Sequence, residues 1–105
     1  ARIAGILGGK RTPDLIPLTH TISLDSLSVD LTPDEDLPGI RIEAMATSTG
    51  RTGAEMEAMT AVCVAALTAY DMLKSLERGI MVSNIRLVHK KGGKSGEWKR
   101  EQIPD

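Results

Sequence analysis

The chain contains no phenylalanine, one tryptophan (Trp98), one tyrosine (Tyr70) and one cysteine (Cys63) in 105 residues. With so few aromatics, its core has to be assembled from Ile, Leu, Val, Met and Ala. A single cysteine excludes an intrachain disulfide framework and suits a reducing cytoplasm. Cys63 sits in the run Ala61-Val62-Cys63-Val64-Ala65-Ala66, a setting for a small buried hydrophobe rather than a redox thiol. Neither charge sign dominates: 13 basic and 14 acidic side chains leave a net charge of −1. Broad nucleic-acid binding would leave a basic footprint, so any bound anion must be met by a local cluster. No signal peptide is visible, and no run reads as the roughly 18 to 20 apolar residues of a membrane span.

What is present fits one small domain, residues 1–105, with a limited core and a use for oligomeric support. Ile3, Ile6 and Leu7 already follow helical spacing, so the sequence begins inside an amphipathic helix and reads as lacking its native N-terminus. Gly8-Gly9 suits the end of that helix. Thr12-Pro13-Asp14 reads as a new start, with a Thr N-cap, Pro at the first helical position and an acid in the first turn. Leu27, Val29 and Leu31 alternate with polar residues, as do Ile40, Ile42, Ala44 and Ala46, which predicts two half-buried strands. Pro33 to Gly39 would turn them into an antiparallel hairpin. Gly53 to Arg78 is the strongest predicted helix, with Thr52 and Glu55 as a capping box and Gly79 as its stop. Val82, Ile85, Leu87 and His89 suggest a third strand, and Glu97 toward Ile103 a short fourth. The order α-β-β-α-β-β, with a long helix on one face of an antiparallel sheet, predicts an α+β sandwich.

Three constellations combine chemistry with an unusual setting. Asp71 and Lys74 stand at i and i+3 among Leu67, Tyr70, Met72, Leu73 and Leu76. They are either an exposed helical ion pair or charges serving a wet cleft, since isolated burial would be costly. Glu55 has a capping role available, but Glu57 lies about 200° further round the helix and cannot share it. Helix N-terminal amides receive anions, yet these two acids would oppose a phosphate unless they hold another part of the ligand. Lys90 to Gly96 forms a basic glycine-rich loop, either a solvated turn or a grip on a triphosphate. It is not a Walker P-loop, because position 88 is Val where that motif requires Gly. His20 stands alone, read as a structural residue or a ligand contact. With His89 the only other histidine and no ligand spacing, neither a zinc site nor another metal site is expected.

Ala1-Arg2-Ile3-Ala4-Gly5-Ile6, Lys10-Arg11-Thr12 with Asp14 to Leu18, His20, Thr52-Gly53 with Glu55 to Ala58, Ala65 to Thr68, Tyr70-Asp71-Met72 and Gly92 to Gly96 occur in that order. Together they resemble the cyclic pyranopterin monophosphate synthase family (the MoaC family) of molybdenum cofactor biosynthesis. The resemblance implies a ferredoxin-like α+β fold with helices on one face of an antiparallel sheet. It implies a cytoplasmic lyase without a cofactor that converts 3′,8-cyclo-7,8-dihydro-GTP to cyclic pyranopterin monophosphate and releases pyrophosphate. A hexamer built as a trimer of dimers, with active sites near the dimer interfaces, is likewise implied.

By the same resemblance Asp71 and Lys74 are the catalytic pair. Leu18, Thr19, His20, Met56 and Glu57 bind substrate, joined by Glu55 and Lys90. Thr19 stands where the family often has Cys, and the family carries a lysine and arginines in a segment upstream of Ala1. Without that segment the 105 residues would be inactive. The alternative is a non-catalytic, oligomeric nucleotide-binding module of the same fold; neither nucleic acid nor a membrane is an expected partner.

Overall fold

A computed structural model describes residues 1–17, 22–49, 53–91 and 96–101. The chain runs α1 (Arg2–Lys10), α2 (Thr12–Leu15), β1 (Leu24–Asp34), β2 (Gly39–Ser48), α3 (Glu55–Leu73), β3 (His89–Lys90) and β4 (Trp98–Lys99). The fold is α+β, with α1 and α3 packed on the inner face of the antiparallel β1–β2 hairpin. Only part of a ferredoxin-like arrangement is defined, because β3 and β4 form a separate two-stranded ribbon.

The period-two pattern sets the hairpin register. Leu27 pairs with Ala46, Val29 with Ala44 and Leu31 with Ile42, so the apolar residues of both strands share one face. Val29, Ala61 and Ala65 make the buried centre, with Ile6, Leu27, Leu31, Ile42 and Ala44 packed around it. At the turn, Arg41 donates to Asp34, while the Asp36 amide donates to Asp34 Oδ1 at 2.9 Å. The Arg41 hydrogen bond holds the Asp34 carboxyl below its ordinary value.

The glycines of α1 are packing residues, which corrects their expected role as a helix end. α1 continues through Gly8-Gly9 to Lys10 because these glycines face α3. A Cβ at Gly5 would lie 2.9 Å from both Ala61 O and Ala65 Cβ, and one at Gly9 2.9 Å from Glu57 O. Gly5 and Gly9 on α1, with Ala61 and Ala65 on α3, therefore let the two helices approach closely. Thr12 is buried and donates to Gly9 O at 2.7 Å. It closes the end of α1, whereas Arg11 occupies the N-cap of α2.

Three further expectations change. α3 ends at Leu73, five residues before Arg78, and Lys74 to Leu76 form a turn. Every described residue from Lys74 to Gly79 is exposed, so no tertiary packing extends the helix there. The proposed third strand is absent over 80–88, and Asn84 adopts φ 56° in its middle. A left-handed residue breaks the extended backbone that a sheet ladder requires. The fourth strand is reduced to Trp98–Lys99, and its predicted end at Ile103 lies outside the described residues. By length and apolar composition α3 also qualifies as a membrane-spanning helix, contrary to expectation. Its small residues are instead spent in the packed centre, beside the buried Glu57.

Candidate functional site

α3 carries a candidate cluster at each end. At its N-terminus the N-cap is Ala54, which has no side chain capable of capping. The expected capping box is therefore corrected: Thr52 lies outside the described residues, and Glu55 occupies the first helical position, not the third. The side chain of Glu55 turns to a distant partner, with Oε1 3.2 Å from Lys90 Nζ on β3. Both side chains are largely withdrawn from solvent, at 30 % exposure for Glu55 and 21 % for Lys90. Such a pair is screened less than a surface one.

Gly53 makes room for that pair. A Cβ there would lie 2.8 Å from Glu55 Oε2 and 3.4 Å from Lys90 Cε. Glu55 Oε2 is buried and accepts no hydrogen bond from the described residues. A carboxylate oxygen left so is costly until something donates to it. Met56, next along the helix, is exposed. Glu57 is 4 % exposed, and its backbone carbonyl lies against Gly9 of α1. Of these two acids, Glu55 has one carboxylate oxygen left without a hydrogen bond among the described residues.

At the other end of α3, Lys74 Nζ lies 2.9 Å from Asp71 Oδ1. The side chains are 57 % and 72 % exposed, so the pair faces open solvent as the i, i+3 spacing allowed. The Asp71 hydrogen bond, reinforced by its charge, raises the Lys74 pKa above the ordinary lysine value. Lys74, a cation at neutral pH like any exposed lysine, is suited to meeting anionic oxygen.

The fold does not unite the two ends. Glu55 and Asp71 lie sixteen residues apart on one helix. At about 1.5 Å per residue their separation is about 24 Å along the axis. Glu55 and Lys90, by contrast, are brought into contact although they are remote in sequence. Leu18, Thr19, His20 and Lys94 lie outside the described residues. Among the described residues, no three His, Cys, Asp or Glu side chains gather as a metal-binding group.

A family model described as the MoaC family matches residues 1–93. The chain belongs to the MoaC family. A protein of Dinoroseobacter shibae named cyclic pyranopterin monophosphate synthase is 54% identical over 101 residues, covering 96% of this chain and 64% of the relative. One of the same name from Brucella ovis is 53% identical over 98 residues, covering 93% of this chain and 59% of the relative. The chain therefore spans less than two thirds of the length of these MoaC relatives. With the family in place, the exposed Asp71–Lys74 pair and the half-buried Glu55–Lys90 pair become its two candidate site clusters.

The Glu55–Lys90 contact was not anticipated from sequence. Each residue had been marked through the family resemblance, but their pairing has no local signal. Gly53 had been quoted only as a motif residue at the helix start; that it makes room for this pair is visible only in the structure.

Proposed function

We propose that this chain forms a single domain of a cyclic pyranopterin monophosphate synthase. It is a cytoplasmic lyase that converts 3′,8-cyclo-7,8-dihydro-GTP to cyclic pyranopterin monophosphate, with loss of pyrophosphate. The observation that carries the proposal is the exposed Asp71–Lys74 pair, at 2.9 Å, in a chain of the MoaC family. A triphosphate-bearing substrate needs fixed cations where charge grows as pyrophosphate departs. Lys74 is assigned that electrostatic work, and Asp71, 2.9 Å away, orients it. Glu57 and His20 hold the base and ribose end, together with Leu18, Thr19 and Met56. Glu55 fixes Lys90, whose ammonium meets phosphate.

Because the two clusters lie about 24 Å apart along one helix, a complete site takes one cluster from each of two chains. The C-terminal part of α3 supports such a contact. Leu67 and Met72 are 64% and 65% exposed, and little in the chain itself covers them. The radius of gyration, 14.4 Å, also exceeds the roughly 13 Å of a compact chain of this length. A trimer of such dimers is the hexamer that the family resemblance implies.

Pyrophosphate release from 3′,8-cyclo-7,8-dihydro-GTP by the full-length protein tests the activity; no release under saturating substrate rejects it. Site sharing is tested by mixing inactive Glu57→Ala and Asp71→Asn proteins with subunit exchange confirmed by mass spectrometry. Recovery of part of the activity supports a two-chain site. Complete absence of recovery assigns both residues to one chain or removes Glu57 from the site.

A further inference from the structure

The ribbon that supplies Lys90 also presents the only tryptophan of the sequence. Lys90 pairs directly with Trp98 across β3 and β4, so both side chains rise from the same face of the ribbon. Arg100, two residues beyond Trp98, belongs to that face as well. Its guanidinium carbon lies 5.3 Å from the centre of the Trp98 ring. Arg100 is itself tied down, with Nε donating to Leu87 O at 2.8 Å and its amide to Val88 O at 2.7 Å. Glu97 falls on the opposite face with His89, 3.6 Å from its Nε2.

The shared face thus holds a cation, an aromatic ring and a second cation in a row. Arg100 backs the ring and restrains it, while Trp98 remains 41% exposed. An indole held in this way offers a flat, partly open surface opposite Lys90 on the ribbon, whose ammonium reaches Glu55. That combination accepts a fused-ring base with a phosphate close by, the chemistry of a nucleotide. The family match ends at residue 93, before this aromatic.

We propose that Trp98 is the stacking platform for the purine-derived base of the substrate, with Lys90 beside it and Arg100 fixing the indole. The proposal rests on the functional reading above and adds a residue to its base-binding end. Stacking covers the face of the base and leaves its edge to hydrogen-bonding groups such as Glu57 and His20.

The test uses full-length protein carrying Asp71→Asn to block turnover, titrated with 3′,8-cyclo-7,8-dihydro-GTP while tryptophan emission is followed. A parallel titration uses inorganic tripolyphosphate, which has charge but no base. The nucleotide is expected to quench Trp98 emission to saturation and tripolyphosphate to leave it unchanged. Trp98→Leu should weaken nucleotide binding by roughly fivefold or more, the range of a lost base–aromatic stack, without changing tripolyphosphate affinity. Trp98→Phe, which keeps an aromatic face, should restore most of the loss, and all variants should melt alike.

Equal nucleotide affinity for Trp98→Leu and the parent protein overturns the platform. So does equal quenching by tripolyphosphate, or binding seen by calorimetry with no change in emission. Pyrophosphate release by the protein with Asp71 intact separates the two levels. Turnover with no Trp98 effect removes only the platform, whereas absence of both binding and turnover removes the functional reading with it.

Discussion

Along its first three turns and into its middle, α3 lies against the glycines of α1 and the inner face of the hairpin, with Ala61 and Ala65 fully buried. Beyond Ala66 the same helix leaves Leu67, Tyr70 and Met72 exposed and ends in the solvent-facing Asp71–Lys74 pair. One end is specified by small residues that permit backbone contact. The other carries large apolar groups with little of this chain to cover them. The contrast separates residues that hold the fold from residues available to a ligand or a second chain. It also explains why a charged pair survives beside Leu67 and Met72: the charges remain hydrated.

The sharpest break in that comparison comes from chemistry at the exposed end. In the full-length protein, Asp71→Asn and Lys74→Ala should each reduce pyrophosphate release by at least about a hundredfold, the scale of losing a preorganised charge contact. Their melting temperatures should stay within a few degrees of the parent, because an exposed ion pair contributes little to stability. Near-normal turnover in either variant would remove this pair from the site.

At the packed end the expected loss is one of stability. Gly5→Leu pushes a side chain into Ala61 O and Ala65 Cβ and should cost about 1–3 kcal/mol, read from the urea midpoint. Leu67→Ala should alter the stability of a single chain by less than about 0.5 kcal/mol. It should instead weaken association, measured by the concentration dependence of assembly. If the two substitutions destabilised the chain equally, the division of α3 into a packed half and an available half would fail.

A smaller effect tests what holds the N-terminal cluster. A double-mutant cycle with Glu55→Gln and Lys90→Met should give a coupling of up to about 1 kcal/mol, since the pair is only partly withdrawn from water. Zero coupling with both folds intact would mean that the contact does not order Lys90.

The least effect is expected far from either cluster, at the hairpin turn. The folded pKa of Asp34 is depressed by Arg41, so its contribution is present at neutral pH. It is lost as pH falls below about 4, through the folded value. Arg41→Ala should move the Asp34 titration, followed by NMR, up toward the ordinary carboxylate range. It should also reduce the difference between neutral and acidic urea midpoints. An unmoved titration would assign the shift to another contact.

Much of the architecture was legible where a local period repeats. Leu27, Val29 and Leu31 opposite Ala46, Ala44 and Ile42 follow from alternation alone, because a register slip would turn each of them to water. The helical character of 55–73 was equally plain. The misreadings fall where a residue serves more than its neighbours. Gly8-Gly9 looked like a stop, and becomes an approach surface only once α3 lies against it. Glu55 looked like half of a capping box, because a local partner was the only one that spacing could suggest. Ile85 and Leu87 fitted a strand pattern, but the left-handed Asn84 between them and Val82 interrupts the extended path.

The sequence by itself determined the period of the hairpin, the presence of the long helix, the family and the residue types placed at the candidate site. Those depend on neighbours within a few positions, or on an ordered set of motifs, and both are written along the chain. The distance of Asp71 and Lys74 from Glu55 follows already from their spacing along one helix. Only the tertiary structure decided that Glu55 meets Lys90 and so brings the start of α3 to the ribbon that carries Trp98. The Glu55–Lys90 contact joins residues far apart in sequence, and its geometry is fixed by how closely α1, α3 and the strands can pack.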